Sequence, residues 1–129
     1  MFDLSWYYTL NHPFLTPPAW IFPPVWAFLY LTLLIALLIY GFKKSQYNKT
    51  WGYILFFTQL GLNICWSPVF FHFHNIGLGL AIIVLLVVLT FWNIVEFLRV
   101  SKTAGIILIP YFLWISFATY LNAGIFILN

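Results

Sequence analysis

Charge is what this chain has least of: only 5% of its 129 residues are charged, and the acidic ones are just Asp3 and Glu96. A soluble domain of ordinary composition carries about 25% charged residues and covers its core with them. A water-soluble globule is therefore excluded, since the residues that would form its periphery are lacking. Five Lys and Arg residues give a net charge of +3, too small and dispersed for a phosphate-neutralising face, which excludes nucleic acid as a partner. Cysteine occurs once. Cys65 can form no disulfide within the chain, and its apolar surroundings lead us to expect a small buried hydrophobe. No Ser-His-Asp set, paired carboxylates or phosphate loop exists, so ordinary hydrolytic catalysis is excluded. His12, His72 and His74 lack neighbouring thiols or carboxylates, and we expect no metal and histidines facing solvent or headgroups. A cleavable leader is not expected either, because the N-terminus has an acidic residue, no Lys or Arg, and prolines where an apolar stretch should be. No repeat of about 20–50 residues is present.

What the chain does have is apolar length. Hydrophobic residues make up 64% of it, and mean hydropathy is +1.02. Runs able to cross a hydrocarbon core of about 30 Å occur at about 20–42, 51–71, 76–98 and 104–128. They are continuous rather than alternating, which argues against strands, and an open sheet would leave backbone groups unpaired in lipid. The expectation is an all-α integral membrane protein, one domain over residues 1–129, with four transmembrane helices in a lipid bilayer. The links "GFKKSQYNKT" (41–50), "FHFHN" (71–75) and "RVSKT" (99–103) are short enough to make consecutive helices antiparallel neighbours. Lys43, Lys44 and Lys49 fall in the first link and Arg99 and Lys102 in the third, so the positive-inside rule places loops 41–50 and 99–103 in the cytoplasm. Glu96 and Arg99, three apart near the end of the third run, are spaced as a local ion pair. A homodimer is left open: Gly77 and Gly79 are two apart and Gly52 and Gly61 nine apart, so no small-xxx-small motif marks an interface.

Residues 1–19 are too polar and proline-rich to span and too aromatic for a solvated tail. They read as an interfacial lid. Trp6, Tyr7, Tyr8 and Trp20 suit the headgroup level, and Pro13, Pro17 and Pro18 restrict the backbone. Pro23 and Pro24 fit the first turn of the first helix, where a missing N–H is tolerated. On the second run Gln59, Asn63, Trp66 and Phe70 share one helical face, which must turn away from lipid, either into interhelical hydrogen bonds or toward a cavity. Trp26 and Tyr30 form a similar stripe on the first run, and Trp114, Ala118 and Asn122 one on the fourth. At 1.5 Å per residue from the basic ends, Trp26, Asn63 and Trp114 lie about 22, 20 and 15 Å along their helices. They share one half of the membrane. Convergent indoles and phenols with one amide describe a cavity for a flat, largely apolar ligand.

The segments "WYYTLNHPFLTPPAW", "FPPVWAFLY", "LNICWSPVFF" and "PYFLWISFATYLN" resemble, in order, the motifs of the TspO/translocator protein family, also called tryptophan-rich sensory proteins or peripheral-type benzodiazepine receptors. The resemblance covers nearly the whole chain. It implies a TspO-like helical bundle that binds porphyrins such as protoporphyrin IX or haem, or sterols such as cholesterol, for sensing, sequestration or transport, with no required cofactor. It also implies ligand-binding roles for Trp26, Tyr30, Asn63, Trp66, Phe70, Trp114, Phe117 and Ala118, and for Trp6, Tyr7, Pro17 and Pro18 in the lid. For some members of that family a light-dependent breakdown of protoporphyrin IX is ascribed to the two tryptophans that fall here on Trp26 and Trp114. The alternatives to a binding protein are thus a porphyrin-degrading enzyme and a shortened, non-binding homologue. The chain departs from the pattern in starting at the loop after the family's first of five helices, so one side of the pocket would need a wall from another protomer, lipid or an upstream start. Nothing basic follows Tyr120, which leaves the family's sterol consensus incomplete.

Overall fold

The computed structural model describes residues 19–129. After a 3₁₀ turn at Ala19–Ile21 come α1 (Phe22–Phe42), α2 (Thr50–Ser67), a π-helical turn at Pro68–His72, α3 (Ile76–Val100) and α4 (Lys102–Leu128). All four long helices are apolar and long enough to cross a membrane, and the described residues contain no strand. The 21-residue α1 spans about 32 Å at 1.5 Å per residue. Trp6, Tyr7, Pro17 and Pro18 of the expected lid lie outside the described residues, as does His12.

Local chemistry explains the helix ends. Pro23 and Pro24 occupy the first turn of α1, as expected, where no intrahelical N–H bond is lost. Asn75 caps α3 by accepting from the Leu78 N–H at 3.0 Å, and Ser101 caps α4 by accepting from the Ala104 N–H at 3.2 Å. The third link is far shorter than the expected 99–103: Ser101, extended at φ −144° and ψ 118°, is alone between α3 and α4. Arg99 and Lys102 are therefore helical. Apolarity marks where lipid ends, whereas a helix continues until its backbone is capped.

The side of each helix that packs is a narrow stripe. On α1 it is Phe22, Trp26, Leu29, Leu33, Ala36 and Tyr40; on α4 it includes Leu108, Tyr111, Ile115, Ala118 and Asn122. Helix α4 packs along both α1 and α3, and α3 also packs along α2. The remaining faces carry large exposed apolar side chains such as Phe28, Leu31, Phe57, Val88 and Leu113, which is what contact with lipid tails requires. Cys65 belongs to that outer face and is exposed, correcting the expectation of a buried residue. In lipid the outer surface is as apolar as the core, so an apolar neighbourhood does not tell a buried position from a lipid-facing one.

The end that holds the basic residues is tied tightly. Tyr40 stacks on Phe97 with ring centroids 3.9 Å apart and donates to the Lys49 carbonyl at 3.1 Å. The Lys49 ammonium donates to the carbonyl oxygens of Gly41 and Lys43, satisfying the carboxyl-terminal end of α1. Gly52 is needed there: a Cβ on it would lie 2.0 Å from the Tyr40 hydroxyl. The Gly52 carbonyl also accepts from Asn93 Nδ2 at 3.3 Å. Glu96 and Arg99 form the expected pair at 4.0 Å, one turn apart on α3.

An aromatic cavity between α1, α2 and α4

Four aromatic side chains meet at the end of the bundle opposite the basic links. Two come from the first turns of α1, Phe22 and Trp26, and two from the end of α2 and its π turn, Trp66 and Phe70. Trp114, Ala118, Leu121, Asn122 and Ile125 of α4 complete the lining. The π turn follows from Pro68, after which the Phe73 N–H reaches back five residues to the Pro68 carbonyl at 2.9 Å. Widened turns of this kind re-aim side chains, and Phe70 stacks on Trp66 at 5.3 Å and 21°.

Ring geometry then narrows the site. Trp26 is 6.1 Å from Trp66 and meets Trp114 edge-on at 6.3 Å and 87°, while Phe22 meets Trp114 edge-on at 6.0 Å. The cavity left is about 20 Å³, room for about one water molecule and far below the roughly 300–1,000 Å³ of a small-molecule site. The rings serve as one another's stacking partners.

Polar groups in and beside the cavity are almost all bonded. Trp66 Nε1 donates to Asn122 Oδ1 at 3.0 Å, and Asn122 Nδ2 donates to the Ile76 carbonyl at 3.1 Å, joining α2, α3 and α4. Gly79 lets α3 approach this bond, since a Cβ there would lie 3.3 Å from Asn122 Oδ1. Two groups differ: Trp114 Nε1 and the Ser67 hydroxyl are buried and have no hydrogen-bond partner among the described residues.

Below the cavity runs a second polar set. The Tyr30 hydroxyl donates to Asn63 Oδ1, Asn63 Nδ2 donates to the Tyr111 oxygen at 2.8 Å, and the Tyr111 hydroxyl donates to Gln59 Oε1 at 2.7 Å. Of the two alternatives for the polar stripe of α2, interhelical bonding is the one found for Gln59 and Asn63, and a cavity wall the one found for Trp66 and Phe70. Trp26, Trp66, Phe70, Trp114 and Ala118 are thus brought together as lining residues. Tyr30 touches the site through its ring, 6.1 Å from Trp26, and Phe117 through Trp114 at 5.8 Å, but neither is part of the wall. Phe22, Leu121 and Ile125 line it without having been singled out. Tyr111 was missed as well, although it opens the stripe Tyr111, Ile115, Ala118 and Asn122, which a count at the helical period would have found.

The fold and site define a multi-pass integral membrane protein whose helices enclose an intramembrane cluster of tryptophans. Residues 2–128 match the model of the TspO/MBR family. The chain is 46% identical over 129 residues to the tryptophan-rich protein TspO of Chlorobaculum tepidum, covering 97% of this chain and 80% of that one. It is 41% identical over 125 residues to the protein of the same name from Archaeoglobus fulgidus, with the same two coverages. To the translocator protein of Homo sapiens it is 32% identical over 124 residues, covering 92% of this chain and 72% of the human one. The chain belongs to the TspO/MBR family.

Proposed function

We propose that the aromatic cavity binds a flat, largely apolar ligand with polar edges, a porphyrin such as protoporphyrin IX or haem in the first place and a sterol in the second, for sensing, sequestration or transport. The observation that carries this reading is the meeting of Trp26, Trp66, Phe70 and Trp114 at one cavity, with the buried Trp114 N–H lacking an acceptor among the described residues. A buried donor left unpaired costs about 1–3 kcal/mol. A ligand that brings a ring nitrogen, carbonyl or carboxylate to Trp114 Nε1 removes that cost. Binding opens the cluster: ring pairs worth about 0.5–1.5 kcal/mol each separate and are replaced by stacking on the larger ligand face. A relative from Cereibacter sphaeroides, 33% identical over 122 residues, is named a tryptophan-rich sensory protein, and the human one a translocator protein; the names accord with sensing and with translocation.

The test is a titration of the purified protein in detergent with protoporphyrin IX and, separately, with cholesterol. A saturable shift of the porphyrin absorbance band, weakened by Trp114→Phe and by Trp26→Leu, is expected. A saturable shift that neither substitution alters would place the ligand elsewhere.

A further inference from the structure

The polar line that borders the cavity has a direction. Tyr30 O–H donates to Asn63, Asn63 N–H to Tyr111, and Tyr111 O–H to Gln59 Oε1. At the basic end Asn93 N–H donates to the Gly52 carbonyl. Between these two stretches stand a donor, Gln59 Nε2, an acceptor, Asn93 Oδ1, and the Thr90 hydroxyl, none of which has a hydrogen-bond partner among the described residues. All three residues are 0% exposed. Buried polar groups in a membrane interior cannot borrow partners from bulk water, and each one left unpaired costs several kcal/mol.

Helix geometry places the three groups within one small span. The Gly52–Asn93 bond sets the register of the antiparallel α2 and α3. From that level Gln59 is seven residues along α2 and Thr90 three residues along α3, about 10.5 and 4.5 Å at 1.5 Å per residue. The backbone level of Gln59 is thus about 6 Å from that of Thr90 and about 10.5 Å from that of Asn93, a gap that the side chains themselves have to shorten. Helical side chains lean toward their own N-terminus, so Gln59 leans toward the basic end while Thr90 and Asn93 lean away from it. They lean toward one another.

We propose that a water molecule is a built-in part of this seam, accepting from Gln59 Nε2, donating to Asn93 Oδ1 and bonding the Thr90 hydroxyl. The chemistry selects water over an ion: a cation would face the Gln59 N–H and an anion the Asn93 oxygen, whereas water both accepts and donates. With it, every bond from Tyr30 to the Gly52 carbonyl runs donor to acceptor in one direction. Turning one amide alone, Asn63 or Gln59, would set donor against donor or leave an acceptor facing an acceptor, so the line changes direction only if both amides and the Tyr111 hydroxyl turn together.

Water-edited solid-state NMR on the full chain in deuterated lipid bilayers tests this with water itself as the probe. The Gln59 side-chain amide is expected to receive water magnetisation at least fivefold faster than the backbone amides of Ile83 and Leu86, which are equally buried. Thr90→Val is expected to slow that transfer at least twofold, and Thr90→Ser to preserve it. Transfer to the wild-type Gln59 amide no faster than to Ile83 and Leu86 overturns the proposal, whatever the variants do. An unchanged rate in folded Thr90→Val overturns the site as drawn.

Discussion

Trp66 Nε1 donates to Asn122 Oδ1 at 3.0 Å, fastening the second helix to the fourth at the wall of the aromatic cavity. Because Asn122 also donates to the Ile76 carbonyl on α3, one amide holds three helices at the level where the cavity lies. Asn122 is 1% exposed. Its polarity is spent on the bundle, so in the proposed binding mode the rings and the Trp114 N–H are what a ligand would meet.

Replacing Asn122 by Leu keeps the volume and removes both bonds, taking the Asn122 oxygen away from the Trp66 N–H, while the Ile76 carbonyl keeps its own bond in the first turn of α3. The expected loss of stability is about 1–3 kcal/mol, above the roughly 0.6 kcal/mol of an average interhelical bond in membranes, because a buried indole donor loses this acceptor. Reversible unfolding in mixed micelles checks it. A loss no larger than that average would mean that the indole is satisfied elsewhere.

Gly52→Ala is expected to destabilise the basic end by about 1–3 kcal/mol. The new methyl would meet the Tyr40 hydroxyl at 2.0 Å and ring carbon Cζ at 2.5 Å, forcing the ring off Phe97. The same substitution in a Tyr40→Leu background meets neither atom and is expected to cost much less. The double-mutant cycle reads the difference directly; additive costs would show that the clash is relieved elsewhere.

The number and approximate spans of the helices were legible in the sequence because only helices can bury their own backbone in lipid over runs of this length. Their ends were not. Arg99 and Lys102 read as loop residues because charge is expensive in hydrocarbon, yet both sit on helices that run beyond the apolar run and break at Ser101 alone. For the site, the indoles were legible from spacing and motif resemblance. The partition of the polar stripe was not, since helical periodicity puts Gln59, Asn63, Trp66 and Phe70 on one face without telling which meets a neighbouring helix. That depends on Tyr30 and Tyr111, supplied by other segments at sequence distances of 33 and 48 residues from Asn63.

Trp114→Phe retains a ring at the cavity and deletes the unpartnered N–H. For a porphyrin whose edge accepts from that donor, affinity is expected to fall about tenfold, which is about 1.4 kcal/mol, while a ligand with no acceptor at its edge loses only packing. Comparing protoporphyrin IX with an apolar polycyclic hydrocarbon in the same titration separates the two effects. An equal loss for both would remove the hydrogen bond from the account of binding.

Lys43, Lys44, Lys49, Arg99 and Lys102 all lie at the end of the bundle away from the aromatic cavity. The positive-inside rule concerns Lys and Arg close to helix ends in short links, and the seven-residue link 43–49 and the one-residue link at Ser101 are extreme cases of it. The basic end is expected to face the cytoplasm and the cavity end the opposite side. Single thiols at Ser45 and Asn129 report the two ends, in a Cys65→Ala background that should cost little because Cys65 is exposed. In sealed right-side-out vesicles a membrane-impermeant maleimide is expected to label Asn129→Cys at once and Ser45→Cys only after permeabilisation. Labelling in the reverse order would invert the topology and open the cavity end toward the cytoplasm.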